Sequence, residues 1–158
     1  MPEWGWWIIC VAGMVGLGAF LLRHPLRRAA EEILLERARE MFTLQRDHLA
    51  EQFLEAASAT GKPRGLRWKR CDFDDGVCFA RDQSSRELHA LVGVTIGFEA
   101  VEGSDMEDVE AVGNLRNATA VFVFRTGQWR SNGRALFNMN PNEALEHFKE
   151  QFEAIAVK

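Results

Sequence analysis

Arg67, Lys69 and Arg70 stand around Trp68, with Lys62 and Arg64 just before them. Cations clustered beside an indole can grip an anionic lipid headgroup or a nucleic-acid strand. The same residues also suit a charged edge strand that resists aggregation, which is the commoner use of such a cluster. A further constellation, Arg116, Asn117, Arg130, Asn132 and Arg134, falls near two closely spaced hairpin signals. Folded together it would line a polar pocket near the last hairpins, and the more common fate of such residues is plain solvent exposure. Asp72, Asp74, Asp75 and Asp82 would be needed for acid–base work, but aspartates in turns commonly bond local backbone instead. The residues carried forward as binding candidates are Arg67, Trp68, Lys69, Arg70, Arg130 and Arg134, and none qualifies as catalytic.

Other reactive residues do not assemble. His24, His48, His89 and His147 are scattered singly. Cys71 and Cys78 form a C-x6-C pair that matches no common zinc pattern. Outside the apolar amino-terminal run there is no phosphate-cradling glycine loop, and nowhere a nucleophile elbow or a metal-binding H-E-x-x-H. The expectation is therefore no cofactor and no metal. From Pro63 onward there are 12 Lys or Arg against 15 Asp or Glu. That mild acidity argues against general nucleic-acid binding, which leaves a basic footprint.

These residues must be positioned by something, and the chain begins with a segment of distinct character. Trp6 to Leu22 is 17 residues without a charged or amide side chain. As a helix it would be about 26 Å long at about 1.5 Å per residue, near the roughly 30 Å of a bilayer core. Trp4, Trp6 and Trp7 crowd one end, where amphipathic rings favour the membrane boundary. Arg23, Arg27 and Arg28 crowd the other and can snorkel to the interface. A secretory signal has the opposite charge order, and a core helix would carry a polar stripe. The segment reads as a single transmembrane anchor at the cell membrane. Its arginines place the amino terminus outside and the remainder in the cytoplasm. Cys71 and Cys78 then face a reducing compartment where structural disulfides are rare. Ala12, Gly16 and Ala19 share one face of this anchor and would let two copies approach closely.

Pro25 can start a second helix. From Leu26 to about Ala59 there is no Pro or Gly, and Leu34, Leu35, Ala38, Met41, Phe42, Leu49, Phe53 and Ala56 recur on one face. The stripe suits a coiled coil with a second chain, or packing against a sheet. Gln45, His48 and Gln52 interrupt the seam and favour the sheet for the carboxy-terminal half. Gly61 and Pro63 then end the helix.

The pattern next switches to period two. Leu88, Ala90, Val92, Val94, Ile96, Phe98 and Ala100 alternate with more polar neighbours, which predicts a long strand over Glu87–Val101 with one buried face. Gly93 or Gly97 should mark a bend. Before it, Asp74–Asp75–Gly76 reads as a hairpin loop pairing Phe73 with Val77 and Cys71 with Phe79, which sets Cys71 and Cys78 on opposite faces. The acidic stretch Glu102–Glu110 reads as a solvated loop with a short helix, and Ala118–Arg125 as a central strand. Asn132–Gly133 predicts a hairpin between Trp129–Ser131 and Arg134–Asn138. Asn140, Pro141 and Glu143 form a helix start, with Leu145, Phe148, Phe152 and Ile155 lining one face of the helix that follows.

The expected architecture is α+β: an anchor (1–24), an amphipathic juxtamembrane helix (25–60), and a cytoplasmic domain (61–158) whose antiparallel sheet of five or six strands precedes a carboxy-terminal helix. The expected function is a membrane-anchored interaction or assembly module, with membrane lipid, a second copy of the chain or an unidentified protein as partners. A membrane-tethered sensor of a small ligand is the alternative, and an enzyme stands behind both.

Overall fold

The computed structural model describes residues 29–60 and 65–155. The anchor residues Trp4, Trp6, Trp7, Ala12, Gly16, Ala19, Arg23, Arg27 and Arg28 lie outside them, as do Lys62 and Arg64. No helix among the described residues is long and apolar enough to cross a membrane. The chain divides into two compact units, Met1–Glu40 and Met41–Lys158.

Helix α1 occupies residues 29–44 and α2 spans Arg46–Thr60. They meet at a turn at Gln45, where the hydrogen-bond ladder carries through: Gln45 N–H donates to Met41 O and Leu49 N–H to Gln45 O. Six strands follow: β1 (Leu66–Asp82), β2 (Leu88–Ala100), β3 (Arg116–Arg125), β4 (Gln128–Arg130), β5 (Ala135–Phe137) and β6 (Phe152–Ala154). A short 3-10 turn, Glu110–Gly113, precedes β3, and α3 (Pro141–His147) precedes β6. The sheet is antiparallel in the order β4-β3-β2-β1-β6, and β5 also pairs with β3. The α+β class holds, with a sheet of six strands.

The period-two segment forms β2 at the centre of the sheet, and its even positions face an aromatic core. Phe53 of α2 stacks edge-on against Phe73 at 5.5 Å, and Phe42 against Trp129 at 5.1 Å and Phe122 at 5.4 Å. Such pairs add about 0.5–1.5 kcal/mol each beyond the area they bury. From Phe42 to Ala57, therefore, the helical stripe packs within the domain. The odd face of β2 is covered too. Leu91 joins Ala80, Val121 and Phe152 in a second core, with Leu136, Leu145 and Phe148 packed against it.

Three local expectations are corrected. Asp74–Gly76 is not a hairpin: β1 runs through it as one strand, pairing Phe73 with Val94 and Val77 with Val92. The three residues bulge opposite Gly93, whose missing side chain leaves room for the Asp74 carboxylate. A bulge and a hairpin draw on the same local chemistry, and the length of β2 decides between them. Cys71 pairs with Ile96 and Cys78 with Leu91, so the two thiols do lie on opposite faces. Asn132–Gly133 closes no hairpin either, because β4 and β5 both pair with β3 rather than with each other. The tight turn is Thr126–Gly127, both at positive φ (50° and 78°), joining β3 to β4. Finally, the last helix stops at His147, and Phe152 enters β6 against Ala80–Asp82. Its start is as expected: the Asn140 side chain accepts from Asn142 and Glu143 N–H, and Glu143 reaches back to Asn140 N–H.

Candidate functional site

The odd face of the sheet carries a groove of about 540 Å³ whose walls include His89, Val121, Val123, Arg125, Arg130, Asn132 and Arg134. Its frame is built by short-range bonds. The Thr126–Gly127 turn sets β4 beside β3, with Arg130 opposite Val123. The following loop is pinned to β3 from both ends. Ser131 Oγ donates to Val121 O at 3.1 Å and accepts from Gly133 N–H at 3.1 Å, and Val121 N–H donates to Arg134 O at 3.0 Å. Asn132 Oδ1 accepts from Arg134 N–H at 3.1 Å. Gly133, at φ 77°, sits so close to α2 that an added Cβ would lie 2.6 Å from the Ala56 carbonyl carbon. No other residue fits there without displacing the loop.

The three arginines differ in what they already hold. Arg125 grips Glu87 through Nε and Nη2 at 2.5 and 2.8 Å. That pairing holds the Glu87 carboxyl below its usual range. Among the described residues Arg130 reaches the Gln128 side-chain oxygen, at 3.3 Å. The Arg134 guanidinium lies 5.7 Å over the Phe148 ring. Among the described residues neither Arg130 nor Arg134 has a carboxylate partner. Both retain the planar donor fork that matches carboxylate and phosphate oxygens.

His89 sits in the same wall, its ring 5.1 Å from that of Phe152 and its Nδ1 buried without a hydrogen-bond partner among the described residues. Burial chiefly lowers its pKa, the nearby Asp82 and Glu87 oppose that, and Arg134 and Arg125 add to it. Its neutral form is therefore favoured. Neither hydroxyl in the groove is activated: Ser131 donates to a carbonyl, and Thr126 Oγ1 donates to Arg125 O at 2.8 Å. The arrangement is suited to holding an anion.

Of the expected pocket, the fold brings Arg130, Asn132 and Arg134 together. Arg116 and Asn117 lie elsewhere, at the start of β3 opposite Ile96 and Thr95. Arg67 and Lys69 both approach Glu99, at 2.7 and 3.7 Å, and Arg70 pairs with Asp72. Trp68 turns to the other face and packs on Phe98 at 5.1 Å and Phe53 at 6.2 Å. The four aspartates do not converge. Asp82 caps the β1–β2 turn, accepting from Ser84 Oγ (2.6 Å), Ser84 and Ser85 N–H (2.9 Å each) and Gln151 Nε2 (3.2 Å). These donors hold its carboxyl well below the usual range. Asp74 and Asp75 offer backbone carbonyls to Arg46. His89 and Arg125 were missed as site residues. The signal for Arg125 was its place before Thr126–Gly127, a turn that returns the chain at once and sets it near Arg130.

Among the described residues no three metal-donor side chains gather. Comparison of the chain with protein-family models, curated proteins and solved structures gives no match.

Proposed function

We propose that this chain is a single-pass, membrane-anchored protein whose cytoplasmic α+β domain binds a small anionic ligand in the groove beside β3 and β4. The observation that carries the reading is the pair Arg130, at the end of β4, and Arg134, on the pinned loop that follows, two guanidinium groups with no carboxylate partner among the described residues. The groove volume of about 540 Å³ falls within the roughly 300–1,000 Å³ typical of small-molecule sites. Inorganic pyrophosphate tests it. Ligand at about 100 times its Kd stabilises a folded state by about 2.7 kcal/mol. Pyrophosphate should raise the unfolding midpoint of the full chain and leave an Arg130→Gln/Arg134→Gln variant unmoved. Equal shifts in both would count against the groove.

The membrane tether rests on the apolar run and its flanking arginines. Alkaline carbonate should leave the chain in the membrane pellet, and protease added outside intact cells should spare the domain. Release into the soluble fraction, or digestion from outside, contradicts the tether.

A second reading, self-association, draws on Ile33 and Leu34 of α1, which are 70 and 50 % exposed. Surface apolar pairs of that kind on a helix suit a second copy of the same helix. Cross-linking at α1 in membranes, abolished by Ile33→Glu, tests it.

A further inference from the structure

We infer, on the basis of the anion-site reading above, that the ligand of the β3–β4 groove is an amphiphilic anion: a phosphate or carboxylate head joined to an apolar body. The head is called for by Arg130 and Arg134. The body is called for by what lies beside them. Val121 and Val123 alternate onto the groove face, in register with Leu91 and His89. Val121 belongs to the second core, and Phe148 packs against that core. Arg134 lines the same groove as Val123 and is steadied from behind by the Phe148 ring, so cation and apolar side chain share one site. A bare phosphate would satisfy the guanidinium forks and leave the half-buried Val123 side chain and the apolar rim of the groove against water. A body covering that surface gains hydrophobic energy from the same binding event. Glu87 is held by Arg125 and so is not free to repel the head. The same chemistry is offered by a soluble alkyl phosphate or acyl carboxylate and by an anionic lipid.

The test uses the full chain in phosphatidylcholine nanodiscs, with empty discs as blank, and two probes of equal head charge: methyl phosphate and octyl phosphate. Burying two methylene groups is enough for about tenfold in affinity. Octyl phosphate should therefore bind at least about tenfold more tightly than methyl phosphate, and Arg130→Gln/Arg134→Gln should weaken it by tenfold or more while the circular dichroism spectrum is kept. The single variant Arg130→Gln, at an exposed position, should weaken it severalfold and guards against a folding defect in the double variant. Discs doped with phosphatidic acid that compete with octyl phosphate assign the head to the bilayer; discs that do not compete assign it to a soluble amphiphile. Equal affinity for the two probes overturns this inference and leaves the anion site standing. Unchanged octyl phosphate binding in the double variant overturns it too, since the head is then not read. Binding of neither probe overturns the anion site itself.

Discussion

Replacing Gly133 by alanine should damage both the fold and the groove, and a second glycine supplies the control. Gly133 and Gly127 share nearly the same backbone, φ 77° and 78°. An alanine in that left-handed region costs about 1–2 kcal/mol. The two sites differ in their surroundings. A Cβ at Gly127 meets nothing within 4 Å, whereas one at Gly133 would lie 2.6 Å from the Ala56 carbonyl carbon and the Ala57 Cα. Those are backbone atoms of α2 and cannot rotate away. Overpacking of this kind adds about 1–3 kcal/mol. Gly127→Ala should therefore cost about 1–2 kcal/mol and Gly133→Ala about 2–5 kcal/mol. Urea unfolding of the full chain, followed by fluorescence with Trp68 and Trp129 in the aromatic core, measures both. Because the Gly133 loop carries Asn132 and Arg134, only that variant should also weaken pyrophosphate binding. Equal costs at the two positions would refute the seating of this loop on α2, and with it the argument for how the groove is held in place.

The capping box at Asn140 makes Asn140→Ala cost about 0.5–2 kcal/mol in the same assay. Asp82, whose folded pKa is depressed by its serine and glutamine donors, contributes stability that is present above the ordinary value of 3.8 and lost as pH falls through its folded value. Asp82→Asn should be less stable at neutral pH and lose less on acidification; an unchanged acid profile contradicts the turn geometry. Burial, with Asp72 adding to it, pushes the Cys71 thiol up to about 12, which leaves a thiolate fraction of about 10⁻⁴ at pH 8. Peptide mapping after iodoacetamide treatment should find the half-buried Cys71 alkylated much more slowly in the folded chain than in the unfolded one, and equal rates would refute the suppression of its thiolate.

Much of this domain was legible because its signals are local. The alternation from Leu88 to Ala100 names a strand without any knowledge of its partners, but its odd face, expected to be exposed, is covered by the second core, and Gly93, expected to bend this strand, instead lies opposite a bulge in its neighbour. Asn140, Pro141 and Glu143 start a helix by bonds made within four residues. The misreadings arose where a local signal has two tertiary outcomes. Asp74–Asp75–Gly76 permits a turn or a bulge, and only a β2 long enough to pair both halves of β1 selects the bulge. Phe152 continued the helical spacing of Leu145 and Phe148, but pairing of the following residues with Ala80–Asp82 drew it into a strand. The groove was half legible. Arg130, Asn132 and Arg134 lie within five residues of one another, so any compact loop gathers them. His89 comes from another strand, more than thirty residues away, and only the β2–β3 register places it opposite Val123.

The account turns on which cations meet the ligand, and side-chain Nε–Hε resonances of arginine in the full chain report that directly. Titration with pyrophosphate should shift Arg130 and Arg134 saturably, while Arg67 and Arg70, which already face Glu99 and Asp72, stay in place. Saturable shifts confined to the β1 arginines, or absent from all four, would contradict it.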